Sequence, residues 1–189
     1  MTDKPVLFPD REAWHKWLAQ HHAQSTIIWL RLGKKGSTQK AVTYAEALEC
    51  ALCFGWIDGL KRPFDEHQFL QRFTPRGPKS IWSQINKDKA IALIESGAMQ
   101  AAGVAQVERA KADGRWDVAY AGSRTIAVPD DLQAQLDDNP KALAFFKTLN
   151  SQNRYAILFR VGNVKKAETR VKNIQKFVEM LRKGEKIYP

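Results

Sequence analysis

The sequence predicts an α+β fold: a small N-terminal antiparallel or mixed sheet with helices, followed by a mostly helical C-terminal half. Three observations predict it. Strand-like runs of β-branched, aromatic and alternating residues fall at 26–32, 56–62 and 68–74, all within the first 75 residues. Helix-capping signatures separate those runs, and from about residue 98 onward the apolar residues recur at helical spacing between caps. We therefore expect an α+β head over 1–97 carrying a central hairpin, and a helical part over 98–189 packed on it as one unit.

Phe8-Pro9-Asp10 opens the first helix, with Asp10 as N-cap and Ala13, Trp14, Trp17 and Leu18 on one face. Thr26 to Leu32 follows as a strand that Gly33 to Gly36 terminates. That glycine- and lysine-bearing turn lacks the spacing of a phosphate-binding loop. Thr43-Tyr44-Ala45-Glu46 is a capping box, so a second helix starts there. Tyr44, Leu48, Ala51 and Leu52 share one face of it; Glu46, Glu49, Cys50 and Cys53 share the other. The Cys-x-x-Cys spacing falls in the last turns, where the helix dipole disfavours a thiolate, so both cysteines read as packing residues.

The central stretch pairs Trp56 to Arg62 with Gln68 to Thr74 around Pro63-Phe64-Asp65-Glu66, a loop of hairpin length. Facing numbers that sum to about 130 set Asp58 opposite Arg72, Leu60 opposite Leu70 and Trp56 opposite Thr74. That register puts an acid beside an arginine on one face, with Ile57, Phe69 and Phe73 on the other. Gly55 and Gly59 leave room for a second backbone or a ligand. Beyond the hairpin, Arg76 and Lys79 flank Gly77-Pro78, and Ser80 is the expected N-cap of a helix over Ile81 to Ser96. Free amides at a helix start beside cations make an anion site, and Trp56 and Trp82 would give it a flat apolar wall.

At these residues the chain resembles a known family. Ala45-Glu46-Ala47-Leu48, Phe54-Gly55-Trp56-Ile57-Asp58-Gly59, Arg72-Phe73-Thr74-Pro75-Arg76, Lys79-Ser80-Ile81-Trp82-Ser83 and Asn86 resemble the YdeI/OmpD-associated family of bacterial proteins, grouped under bacteriocin protection. Gly114-Arg115-Trp116-Asp117, Ala119-Tyr120, Pro129, Asp131-Leu132 and Thr169-Arg170 extend the resemblance toward the C-terminus. It implies a link to outer-membrane porins or antimicrobial peptides and brings no catalytic residue with it. A basic protein is a poor trap for cationic peptides, since like charges repel.

The remaining helices are expected at Gly103 to about Gly114, Asp130 to Leu136, Pro140 to Leu149 capped by Asn139, Ser151 or Gln152 to Val161, and Lys165 to Lys183 closed by Gly184. In the last, Ala167, Val171, Ile174, Val178 and Leu181 form an apolar stripe, and Lys165, Lys172, Lys176 and Lys183 align opposite it.

The 189 residues are 44% hydrophobic and 26% charged, enough for a real core. No apolar run reaches the roughly 18 residues of a membrane span, and the first nine residues lack a leader-length apolar run, so the expected compartment is the cytoplasm. Two cysteines cannot build a disulfide framework or a four-ligand zinc site. The formal charge is +10, and it is uneven: residues 141–189 hold 12 Lys/Arg against 3 Asp/Glu, whereas 1–140 hold 18 against 17.

These readings favour a cytoplasmic binding module for a small anionic ligand held by Trp56, Asp58, Arg72, Arg76, Lys79, Ser80 and Trp82. Nucleic-acid binding by the C-terminal lysine face is one alternative. An enzyme using Asp58 or Glu49 beside Arg72, with His67 in reach, is another. A stress or bacteriocin-protection interaction protein, whose protein partner the sequence does not identify, is a third. No motif specifies a cofactor, and no metal site is expected.

Overall fold

Eleven elements follow one another: α1 (Arg11–His21), β1 (Ile28–Gly33), α2 (Tyr44–Cys53), β2 (Trp56–Pro63), β3 (Gln68–Pro75), α3 (Gln84–Glu95), α4 (Ala101–Ala112), α5 (Asp130–Asp137), α6 (Pro140–Thr148), α7 (Ser151–Gly162) and α8 (Ala167–Arg182). The computed structural model describes residues 4–38, 40–164 and 166–189. The fold is α+β, with the strands in the N-terminal part and helices alone after them. The chain divides into two compact units between Ala119 and Tyr120, so α3 and α4 belong with the sheet.

In the first unit the local signals act as expected. Asp10 accepts from Ala13 N at 2.9 Å and starts α1, which buries Trp14 and Leu18 completely. Thr43 and Glu46 close the capping box: Glu46 N donates to Thr43 Oγ1 at 3.3 Å, and Thr43 N donates to a Glu46 carboxylate oxygen at 2.9 Å. The sheet has the order β1-β3-β2, all antiparallel, and Val6 bridges the outer side of β1 through Trp29 O and Arg31 N. Its inner face carries Ile28, Leu30, Leu32, Phe69 and Phe73 against α1 and α2. Each fully buried large side chain contributes roughly 1.5–3 kcal/mol by leaving water.

Helix α2 is buried almost all round, Cys50 and Cys53 included. Both thiols are free, and burial pushes them up, Cys53 to about 11, which keeps them protonated at neutral pH. Gly55 adopts φ +73, and a side-chain carbon there would stand 2.7 Å from Ala102 O, so the start of α4 approaches where only glycine fits.

The hairpin register differs from the expected one. Asp58 faces Phe73, Trp56 faces Pro75 and Arg62 faces Leu70, with an irregularity between Asp58 and Lys61. The facing numbers sum to 131 before it and 132 after. A shift of one residue moves a side chain to the other face of the sheet, so Asp58 and Arg72 are on opposite sides and form no ion pair. Ile57 likewise moves to the outer face opposite Thr74.

The start of α3 also differs. Its N-cap is Ser83, whose hydroxyl accepts from Asn86 N at 3.1 Å, and not Ser80. Ser80 is spent on a turn: its N donates to Gly77 O at 3.1 Å, and its Oγ accepts from Gly77 N at 3.1 Å. Pro78 favours that turn and delays the helix by three residues.

The second unit is helical. Pro140 occupies the first turn of α6, and Asn150 caps α7 by accepting from Asn153 N at 2.9 Å. Asn139 stands at the N-cap position of α6, but its side chain donates to Gln135 O at 2.8 Å instead of capping. In α8 the buried stripe is Ile174, Phe177, Val178 and Leu181, while Val171 is 52% exposed and Ala167 is exposed. Phe177 joins the stripe at i+3 from Ile174, in the core formed with Leu132, Leu136, Phe146, Leu158 and Val161. Lys172, Lys176 and Lys183 are exposed; the expectation for Lys165 lies outside the described residues. Arg170 forks onto Asp131 at 2.6 and 2.8 Å and donates to Val161 O at 2.8 Å, tying α8 to α5 and α7.

Candidate functional site

The hairpin presents its cations at two places. The first follows β3, where Arg76 N donates to Gly55 O at 2.9 Å and the guanidinium lies 3.5 Å above the Trp82 ring. Arg76 is 5% exposed and Trp82 2%. Trp82 meets Trp116 edge to face at 4.9 Å, and Lys87 donates to Trp116 O at 3.0 Å beneath. Arg115 closes the side: it forks onto Asp113 at 2.7–2.8 Å and donates to Ser80 O at 2.5 Å. This is a layered cation–aromatic stack inside the unit. Lys79 alone of the expected residues around it is exposed, on the Gly77–Ser80 turn.

The other expected residues are dispersed. Trp56 is buried, donates through Nε1 to His22 O at 3.1 Å, and packs edge to face on Trp17. It therefore stands against a different set of rings from Trp82. Asp58 accepts from Tyr44 Oη at 2.8 Å, and Glu49 is held by Lys89 Nζ of α3 at 2.6 Å. His67 is exposed on the hairpin turn, where its backbone N donates to Asp65 Oδ1. Among the described residues no group of three or more His, Cys, Asp or Glu is placed to hold a metal ion, and no helix is long and apolar enough to cross a membrane.

The second place is the outer face of the sheet. Arg31 and Arg62 both stand opposite Leu70, one on each flanking strand, and Arg72 is two residues along the central strand opposite Trp29. With strands about 4.8 Å apart and about 6.8 Å between alternate residues, the three α-carbons fall within roughly 10 Å of one another. Arg62 lies over the Trp29 ring at 4.9 Å, and Arg31 lies over Phe64 at 4.6 Å while donating to Gln68 Oε1 at 2.8 Å. The Arg72 guanidinium covers Gly59: a side-chain carbon there would come within 3.3 Å of Nε. Neither Arg31, Arg62 nor Arg72 has a carboxylate within ion-pair distance among the described residues. Arg72 Nε and Gln68 Nε2, on this side of β3 with Leu70 between them, are buried donors with no hydrogen-bond partner.

Sequence reasoning missed Arg31, Arg62 and Trp29. The signal was present in the alternation of Trp29-Leu30-Arg31-Leu32, whose polar members face away from the core once the strand is half-buried.

The first unit is thus a three-stranded sheet braced by helices on one face and arginine-rich on the other. Residues 6–106 match the family model described as Domain of unknown function (DUF8412), more than half of the chain, and the protein belongs to that family. Residues 125–184 match the model described as Bacteriocin-protection, YdeI or OmpD-Associated. Pro129, Asp131-Leu132 and Thr169-Arg170, which carried part of the resemblance, lie within the second match; the motifs between Ala45 and Asn86 lie within the first. No curated protein and no solved structure matches the chain.

Proposed function

We propose that the protein is a binding module for a small anionic ligand, taken up on the outer face of the sheet by Arg31, Arg62 and Arg72. The observation that carries this reading is that three arginines gather on one face with no carboxylate in ion-pair reach among the described residues. Like charges held this close repel, and an anion between them relieves that repulsion while gaining charge-assisted hydrogen bonds. Arg72 Nε has no acceptor on that face. The amides near Ser80 have no part in it, since that N–H is already given to Gly77 O.

The test is the melting temperature of the wild type and Arg62→Glu with inorganic phosphate, pyrophosphate and simple dicarboxylates at low salt. A ligand at a hundred times its Kd stabilises the folded state by about 2.7 kcal/mol, roughly a 5–10 °C rise for a chain of this size. The expected result is a rise with pyrophosphate in the wild type that Arg62→Glu abolishes. Equal shifts in both proteins, or none in either, overturn the reading.

A further inference from the structure

The outer face holds more than charge. Its guanidiniums alternate with rings: Arg62 on Trp29, and Arg31 beneath Phe64, which is itself 45% exposed. Arg62 is exposed, so the side of its planar group turned away from Trp29 is open to a further flat layer. Flat groups that stack on guanidinium or aromatic planes, joined by a chain of phosphates that pairs with arginine, are nucleotides.

Resting on the anion-binding reading above, we infer that this sheet face binds single-stranded nucleic acid, with Arg31 and Arg72 on the phosphates and the Trp29–Arg62 pair as the platform for a base. Charge complementarity supports it: the three arginines have no carboxylate in ion-pair reach among the described residues. The shape supports it too, because side chains standing off a sheet form a broad shallow surface that an extended strand can cross. A duplex keeps its base faces stacked inside and offers this surface only its phosphates. Gly59 lets the Arg72 guanidinium lie close over the sheet, since a side-chain carbon there would press on it at 3.3 Å. The exposed lysines of α8 offer charge without rings, which distinguishes the two surfaces.

The experiment is fluorescence anisotropy of a labelled 12-residue oligothymidylate, an abasic chain of the same length and a 12-base-pair duplex, at low and moderate salt. The proteins are the full-length wild type, Arg62→Glu, Arg62→Lys and the double variant Lys172→Glu/Lys176→Glu. The wild type is expected to bind the oligothymidylate about tenfold more tightly than the abasic chain. Arg62→Glu is expected to lose about tenfold or more, whereas Arg62→Lys keeps the abasic chain within about twofold and loses the preference for bases. The α8 double variant is expected to stay within about twofold of wild type. Equal affinity for the based and abasic chains, tighter binding of the duplex, or loss confined to the α8 variant overturns the inference. If pyrophosphate still raises the melting temperature in an Arg62-dependent way, only the nucleic-acid inference falls; if pyrophosphate is inert as well, both readings fall.

Discussion

Arg76 and Arg62 each lay a guanidinium on a tryptophan, and the two pairs do different work. Arg76 on Trp82 is sealed within the first unit: Trp116 packs on Trp82, the guanidinium donates to Ile81 O, and the Arg76 carbonyl accepts from Arg109. Arg62 on Trp29 stands at the surface of an edge strand. The residue types are the same, but one pair has exchanged its solvent for packing and the other keeps a face outward. Burial therefore decides whether such a pair is part of the structure or open to a partner. Arg170, forked onto half-exposed Asp131, is an intermediate case.

The comparison breaks first at Arg76. Arg76→Ala removes a buried side chain from the face of Trp82 and its bond to Ile81 O, and should cost about 2–4 kcal/mol in urea unfolding. A loss below about 0.5 kcal/mol would put Arg76 with the surface pairs. Arg170→Ala should cost about 1 kcal/mol, since a bidentate surface pair and one bond to Val161 O are lost together. Its pH dependence sharpens the point. Arg170 holds the Asp131 carboxyl below its ordinary value, so the pair's stabilisation is present above the usual carboxylate range and is lost as pH falls through the depressed value. The gap between wild type and Arg170→Ala should therefore be steady from pH 7 to 5 and narrow below about pH 4; a gap that widens on acidification contradicts this. Arg62→Ala should change stability least, by less than about 0.5 kcal/mol. A larger loss would mean that the Trp29–Arg62 pair is structural like its buried counterpart.

What the sequence made legible was local. Asp10, the Thr43–Glu46 box, the Pro140 start and the hairpin loop all act within a few residues, and each sits where its chemistry put it. What stayed hidden depended on partners far along the chain. Nothing in Trp56 to Arg62 reveals the irregularity after Asp58, which sets the register and parts Asp58 from Arg72. Ser80 and Ser83 are both acceptable caps, and only the Gly77–Ser80 turn assigns the hydroxyls. Arg76 and Arg72 look alike in sequence, four residues apart; the first is sealed by Trp82 and the second reaches over Gly59. The outer-face arginines come from all three strands, so their grouping depends on β1 and β2 both pairing with β3.

The order β1-β3-β2 has a consequence for life in a crowded solution. Val6 covers the free side of β1, whereas β2 has a strand neighbour on one side only among the described residues. An uncovered strand is a template on which a second chain can add, the first step toward aggregation. Here β2 carries an irregular step after Asp58, two cations at Lys61 and Arg62, and Pro63 with no amide to donate. Arg62, one of the outer-face arginines, thus also helps to keep another copy from lengthening the sheet.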